Sequence, residues 1–168
     1  MLTTKDITIE ELVEKAPKSV EYLMNAGIKC IACGEPIWGT LEEAAMENFL
    51  RSHSDRIGPD TIIFSEARPL RAVCWFYDRT DVYLFEKQGE LAFVFEYEDS
   101  QHRFMNLDQF KAFVTAPTRT GNVVLIARNR QYQNIWQPHL PDPLFRADSG
   151  ERGYVFIEYG WLQGGSRD

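Results

Sequence analysis

The sequence predicts an α+β protein: a small all-helical domain over residues 1–52, then an α/β domain with a mixed sheet over residues 60–168. Three observations predict it. In the first stretch, apolar residues recur three and four positions apart between residues that cap helices. Beyond residue 60, short runs rich in β-branched and aromatic side chains alternate with turn residues. Between the two lies Ser52-His53-Ser54-Asp55-Arg56-Ile57-Gly58, polar and without period, which marks the boundary.

The helical stretch reads in order. Thr8 is placed to cap the backbone N–H of Glu11, with the Glu11 carboxylate reaching back, a capping box. Leu12 and Val13 face inward, and Pro17 closes the first helix and suits the first turn of a second. Val20, Leu23 and Met24 supply that helix's apolar side, and Gly27 its left-handed cap. A turn carrying Cys30 and Cys33 follows. Thr40 with Glu43 forms a second capping box, opening a helix whose stripe is Leu41, Ala44, Ala45 and Phe49.

In the second domain, Thr61 to Phe64, Ala72 to Phe76, Val82 to Phe85 and Leu91 to Tyr97 read as strands, with Gln88-Gly89 as a hairpin turn. Asn106 caps a helix through Leu107, Phe110 and Phe113. Val123-Val124-Leu125-Ile126-Ala127 is the continuous apolar run of a strand buried on both faces. Arg128 to Trp136 reads as helical. Leu144 to Arg146 and Tyr154 to Glu158 read as closing strands joined across Asp148-Ser149-Gly150-Glu151, and the tail from Gly164 as frayed.

Composition narrows the function classes. The net charge is −7 with 44% apolar and 13% aromatic residues, which suits a folded core and disfavours a nucleic-acid partner. The longest positive cluster, Arg128-Asn129-Arg130, reads as a solvated helix end. No apolar run approaches the roughly 20 residues of a membrane span, and the first residues lack a signal-peptide pattern. The expectation is therefore a cytoplasmic protein without membrane insertion. In that compartment a close cysteine pair points to redox or metal chemistry rather than a staple.

Cys30 and Cys33 are the candidate catalytic residues. A thiol reacts through its thiolate, which a helix N-terminus or a nearby cation such as Lys29 favours. If Ile31 to Pro36 formed a helical turn, Cys30 would sit at its positive end. The spacing allows a reversible disulfide or half of a metal site. A closed zinc site needs four ligands, and Cys74, His53, His102 and His139 are scattered. Cys74, inside an apolar run, reads as a small buried hydrophobe. Asp78-Arg79 could hold a phosphate or a sugar hydroxyl or simply form a turn with an ion pair. The aromatic residues Trp75, Phe76, Tyr77, Tyr83, Phe85, Phe93, Phe95 and Tyr97 read as core.

Two resemblances add to this. The run Ala26-Gly27-Ile28-Lys29-Cys30-Ile31-Ala32-Cys33, followed by Gly39-Thr40-Leu41-Glu42-Glu43-Ala44-Ala45, resembles the hybrid-cluster-protein-associated redox disulfide domain. Ile7-Thr8-Ile9-Glu10-Glu11-Leu12 fits that family's opening helix, and Trp38-Gly39 departs from it where many members carry an acid. The resemblance covers residues 1–52 and implies a helical bundle whose cysteines are redox-active or bind a partner's metal. Tyr77-Asp78-Arg79-Thr80, Tyr83-Leu84 and Gly89-Glu90-Leu91-Ala92-Phe93 are similar to the soluble C-terminal domain of aminoarabinose-transferase-like glycosyltransferases, across residues 60–160. That resemblance implies a fold and a binding surface; the family's catalytic carboxylate lies in a membrane-embedded part, so glycosyl transfer is not expected here.

The resulting expectation is a cytoplasmic two-domain accessory protein. Cys30 attacks, Cys33 resolves the mixed disulfide, no cofactor is bound, and the partner is a protein, with a homodimer as one form. Two alternatives stay open: a non-catalytic protein holding iron or zinc through Cys30 and Cys33 across a dimer, and a pure protein-interaction module.

Overall fold

The computed structural model describes residues 5–86 and 102–160. The predicted strand Leu91–Tyr97, the turn Gln88-Gly89 and the tail from Gly164 lie outside the described residues. The chain divides into two units, Met1–Ser52 and His53–Asp168. Among the described residues, helices and a mixed six-stranded sheet make the protein α+β, as the sequence predicts.

In the first unit, α1 (Ile9–Lys15) and α2 (Pro17–Asn25) precede a small hairpin, β1 (Ile31–Ala32) and β2 (Glu35–Pro36), and α3 (Leu41–Arg51) closes it. The caps of α1 and α3 lie side by side. Thr8 and Thr40 form an antiparallel bridge, and Ile9 N–H donates to the Gly39 carbonyl at 3.0 Å while Leu41 N–H donates to that of Ile7 at 2.9 Å. At α3 the capping box is complete. At α1 only half forms: Glu11 N–H donates to the Thr8 hydroxyl, but the Glu11 carboxylate takes Lys15 one turn on, at 2.5 Å. Ile9, Leu12, Val20, Cys30 and Ala44 make this unit's buried core.

The second unit is built on β3 (Ile62–Ser65), β4 (Tyr83–Phe85), β5 (Phe104–Met105), β6 (Val123–Arg128), β7 (Phe145–Asp148) and β8 (Tyr154–Tyr159). They lie in the order β5-β4-β3-β6-β8-β7. The first four are parallel, and β6–β8 and β8–β7 are antiparallel. Leaving β3, the chain moves out to β4 and β5, then returns to β6 on the opposite side of β3. Such a reversal opens a crevice beyond the carboxyl ends of the two central strands, where open α/β sheets bind ligands.

Both sheet faces are buried, and one carries a large aromatic cluster. Phe64, Phe85, Leu125, Val155 and Ile157 pack there against Phe110 and Val114 of α5 (Leu107–Thr115) and against Tyr132 and Trp136. The last two belong to a continuous helical run formed by an α turn Asn129–Gln131, a π turn Tyr132–Trp136 and a 3-10 turn Gln137–His139. Strand alternation sends Phe156 and Glu158 to the other face. There His53 stacks on Phe156 at 5.0 Å and Arg56 donates to the Glu158 carboxylate at 2.8 Å.

The first unit, expected to be all-helical, carries the β1–β2 hairpin between its helices, and a second element departs from expectation in the other unit. Ala72 to Phe76, predicted as a strand, lies within helix α4 (Leu70–Tyr77). Five successive apolar residues carry no period to separate the two states. The topology decides, because the parallel pair β3–β4 needs a crossover connection, and α4 supplies it. Val73 is fully buried on that helix whereas Trp75 is 89% exposed.

Candidate functional site

The cysteines come first. They sit in the β1–β2 hairpin, whose two central residues, Cys33 and Gly34, have φ of 55° and 86°. Both signs are positive, as a two-residue type I′ turn requires. The helical turn expected to begin beside Cys30 is therefore absent, because a hairpin and not a helix closes this loop. Cys30 is buried in the core of the first unit and Cys33 is exposed at the tip; both are free thiols. Burial pushes the Cys30 thiol up, the opposite of what activates a nucleophile. Among the described residues no three His, Cys, Asp or Glu side chains gather as metal ligands.

Arg79 is fully engaged within the fold. Its Nε and one terminal nitrogen donate to the Asp81 carboxylate at 2.6 and 2.7 Å, and it reaches the Thr61 carbonyl at 2.9 Å. Asp78 is the left-handed cap of α4, at φ 51°. Of the aromatic residues read as core, Phe85 and Tyr83 are in it or against it, Trp75 faces solvent, and Phe93, Phe95 and Tyr97 lie outside the described residues. Cys74 is half-buried on α4.

A different set of residues gathers at the switch point. Arg128 ends β6, and its side chain turns back onto Glu66, the residue after β3. Nε donates to Oε1 at 2.7 Å, a terminal guanidinium nitrogen donates to the same oxygen, and the backbone N–H of Arg128 donates to Oε2 at 2.9 Å. Glu66 is 5% exposed; the pair holds Arg128 at the crevice mouth.

Next along, buried Asn129 ties two chain segments together. Its backbone N–H donates to the Gly153 carbonyl at 2.9 Å, and its side-chain amide to the Gly150 carbonyl at 3.0 Å. The β7–β8 turn is thereby fixed beside the start of the helical run. Arg130 on one side and Arg152 on the other then border the same open cleft, a cavity of about 490 Å³ whose lining also includes Arg128, Gln131, Asn134 and Ile135. Neither Arg130 nor Arg152 has an ion-pair partner among the described residues. The π turn in this wall is a helix irregularity that recurs at functional sites.

Sequence reading passed over this cleft. Arg128-Asn129-Arg130 was visible as a positive cluster, but the reading as a solvated helix end fits only Arg130. Arg152 joins them through a hairpin that spacing alone does not register.

In class, the second unit is a mixed α/β sheet with a ligand-sized, arginine-lined cleft beside its switch point. Residues 41–157 match the family model described as the arabinosyl transferase ArnT C-terminal domain, and the chain belongs to that family. It is 29% identical over 118 residues to an undecaprenyl phosphate-alpha-4-amino-4-deoxy-L-arabinose arabinosyl transferase of Photorhabdus laumondii, covering 70% of this chain and 20% of the relative. To a transferase of the same name numbered 2, from Proteus mirabilis, it is 29% identical over 99 residues, 58% of this chain and 18% of the relative. A crystal structure of ArnT from Cupriavidus metallidurans bound to undecaprenyl phosphate shares the fold, with a TM-score of 0.54 at 11% identity, over 74% of this chain and 21% of that one. The chain spans about a fifth of the length of these relatives.

These matches correct the expectation of function. The second resemblance stands. The likeness of residues 1–52 to the redox disulfide domain finds no support, and the family match begins inside that stretch, at residue 41. The reading as a cytosolic redox accessory protein is overturned, because the relatives are named as glycosyltransferases that use undecaprenyl phosphate. The cytoplasmic assignment is overturned by the same matches, since the relatives are instead named as arabinosyl transferases of undecaprenyl phosphate-aminoarabinose. Among the described residues no helix is long and apolar enough to cross a membrane.

Proposed function

We propose that this chain serves as a C-terminal-domain component in aminoarabinose transfer from undecaprenyl phosphate. It corresponds to about a fifth of the relatives named for that reaction, so its role is to support the transfer with a binding surface, the rest of the machinery supplying the bond-breaking step. The observation that carries the reading is the family match over residues 41–157, which runs from α3 into β8 and so takes in the sheet and the cleft beside it. The chemistry is consistent with the cleft. When an arabinosyl group leaves its carrier, the phosphate left behind gains negative charge, and arginine is the side chain best shaped to receive it.

A chimaera tests this. The matching C-terminal fifth of the Photorhabdus transferase would be removed and this chain fused in its place, with aminoarabinose transfer measured in isolated membranes. The expected result is loss of transfer on truncation and recovery in the chimaera. A truncated enzyme as active as the intact one, or a folded chimaera without transfer, would sink the reading.

A further inference from the structure

We propose that the cleft bordered by Arg128, Arg130 and Arg152 is a binding site for a phosphate monoester of sugar-phosphate size. The cleft's charge, rigidity and size point to this ligand class, and only the lipid probe below is taken from the proposed role in transfer.

Charge comes first. Glu66 neutralises Arg128 but leaves the guanidiniums of Arg130 and Arg152 with no ion-pair partner among the described residues. Two like charges held beside one cavity repel, and an anion between them removes that repulsion. A planar carboxylate matches a single guanidinium fork. A tetrahedral phosphate offers oxygens in several directions and suits donors arriving from separate walls.

Preorganisation comes second. Arg128 is held by buried Glu66, and the two walls are tied by Asn129 through the carbonyls of Gly150 and Gly153. Gly153 has no room for a side chain: an added Cβ would lie 2.3 Å from the Ser149 hydroxyl oxygen and 2.7 Å from its carbonyl oxygen. The turn carrying Arg152 is therefore set by close backbone packing, and little ordering is left to occur on binding.

Size and lining come third. About 490 Å³ lies within the range of small-molecule sites and exceeds what a bare phosphate needs. Gln131 and Asn134 supply amides that both donate and accept, as sugar hydroxyls require. Ile135, 47% exposed at the rim, offers an apolar edge to a sugar ring face or to the first isoprene unit of a lipid phosphate.

The experiment uses the full chain and two arms. In one, a hexose 1-phosphate is titrated calorimetrically. In the other, the chain is sedimented with phosphatidylcholine vesicles with and without undecaprenyl phosphate. Binding in either arm is expected to fall about tenfold or more for Arg130→Gln and again for Arg152→Gln, the worth of a charge-assisted hydrogen bond. Both residues are exposed, so circular dichroism should show the variants folded, and Arg71→Gln on α4 serves as a control that keeps binding. Binding in the soluble arm alone assigns the ligand to a free sugar phosphate, and in the vesicle arm alone to a lipid headgroup; each supports the site. No binding in either arm, or binding unchanged in the double variant, overturns it. The transferase reading is judged separately: a chimaera that transfers aminoarabinose equally well with Arg130→Gln and Arg152→Gln would remove the site from that reaction while leaving the family role intact.

Discussion

Arg128 and Glu66 clasp one another across the two parallel strands at the centre of the sheet. The arginine uses its side chain on one carboxylate oxygen and its backbone N–H on the other, at 2.7 and 2.9 Å. Glu66 is buried and Arg128 is about two-fifths exposed, so the carboxylate bears most of the desolvation. Replacing Glu66 with alanine strands the Arg128 N–H and its cation together. The expected loss is about 3 kcal/mol, the low end for a broken buried pair. Glu66→Gln retains an acceptor and should lose about 1–2 kcal/mol. Urea midpoints at unchanged slope would read both; equal losses would mean that charge is not what holds the clasp.

Gly121 and Gly34 share the same φ of 86° but not the same surroundings. A Cβ on Gly121 would stand 2.5 Å from the Asp60 carbonyl oxygen, whereas one on Gly34 would meet nothing within 4 Å. Gly34→Ala should therefore cost only the left-handed conformation, about 1 kcal/mol. Gly121→Ala adds a clash with backbone that cannot rotate away, and should cost about 3 kcal/mol or more. Thermal unfolding of the two variants, followed on the transition of the unit concerned, gives the comparison, and equal costs would refute it.

How far the sequence carries can be judged from these elements. Thr40 with Glu43 and Asn106 cap their helices as read, because capping chemistry is local and its partners lie three residues apart; Gln109 completes a second box that the sequence reading did not name. Val123 to Ala127 became the central strand because an unbroken apolar run suits burial on both faces. Ala72 to Phe76 misled because only the partner of β3 decides between helix and strand there. The Cys33-Gly34 turn misled because a cysteine at positive φ is uncommon, and nothing local announces it. The arginine cleft was the least legible part: Glu66, Arg128 and Arg152 are far apart in the chain, and only the strand order brings them together.

Acid should loosen the contact between Asp81 and Arg79. The hydrogen bonds from Arg79 hold the Asp81 carboxyl below the usual carboxylate range. A carboxyl whose pKa is lowered on folding contributes stability above its unfolded value, and that contribution fades as pH falls through the folded value. The loss should therefore appear below about pH 4 and be small, since the Asp81 side chain is largely exposed and screened. Stability measured against pH for wild type and Asp81→Asn should converge in acid and diverge towards neutrality. Parallel curves would remove the linkage.

The two hairpin thiols should differ in reactivity. Cys33 stands at the exposed tip, and Cys30 is buried with its thiol pushed up by desolvation. In a Cys74→Ser background, alkylation at neutral pH should modify Cys33 quickly. Cys30 should follow at least about a hundredfold more slowly, through local opening that costs a few kcal/mol. Because ionisation favours the unfolded chain, the contribution of Cys30 is full below the ordinary thiol range and is lost as pH rises through it. Comparable alkylation rates in the native protein would contradict the burial of Cys30.

Trp75 and Phe110 put the reassigned helix to the same kind of test. Trp75 projects from α4 with 89% of its surface exposed. Phe110 on α5 is fully buried and meets the rings of Phe64 and Phe85 with centroids 4.8 Å away in each case. A strand over residues 72–76 would alternate, making Trp75 and Val73 share a face; a helix separates them. Trp75→Lys should change stability by no more than about 0.5 kcal/mol, whereas Phe110→Ala should cost about 3–5 kcal/mol through lost contact and the cavity it leaves. Val73→Ala should fall with Phe110 in direction and not with Trp75, because its side chain points inward. If Trp75→Lys proved as damaging as Val73→Ala, the two would share an environment, and the helical crossover between β3 and β4 would have to be abandoned.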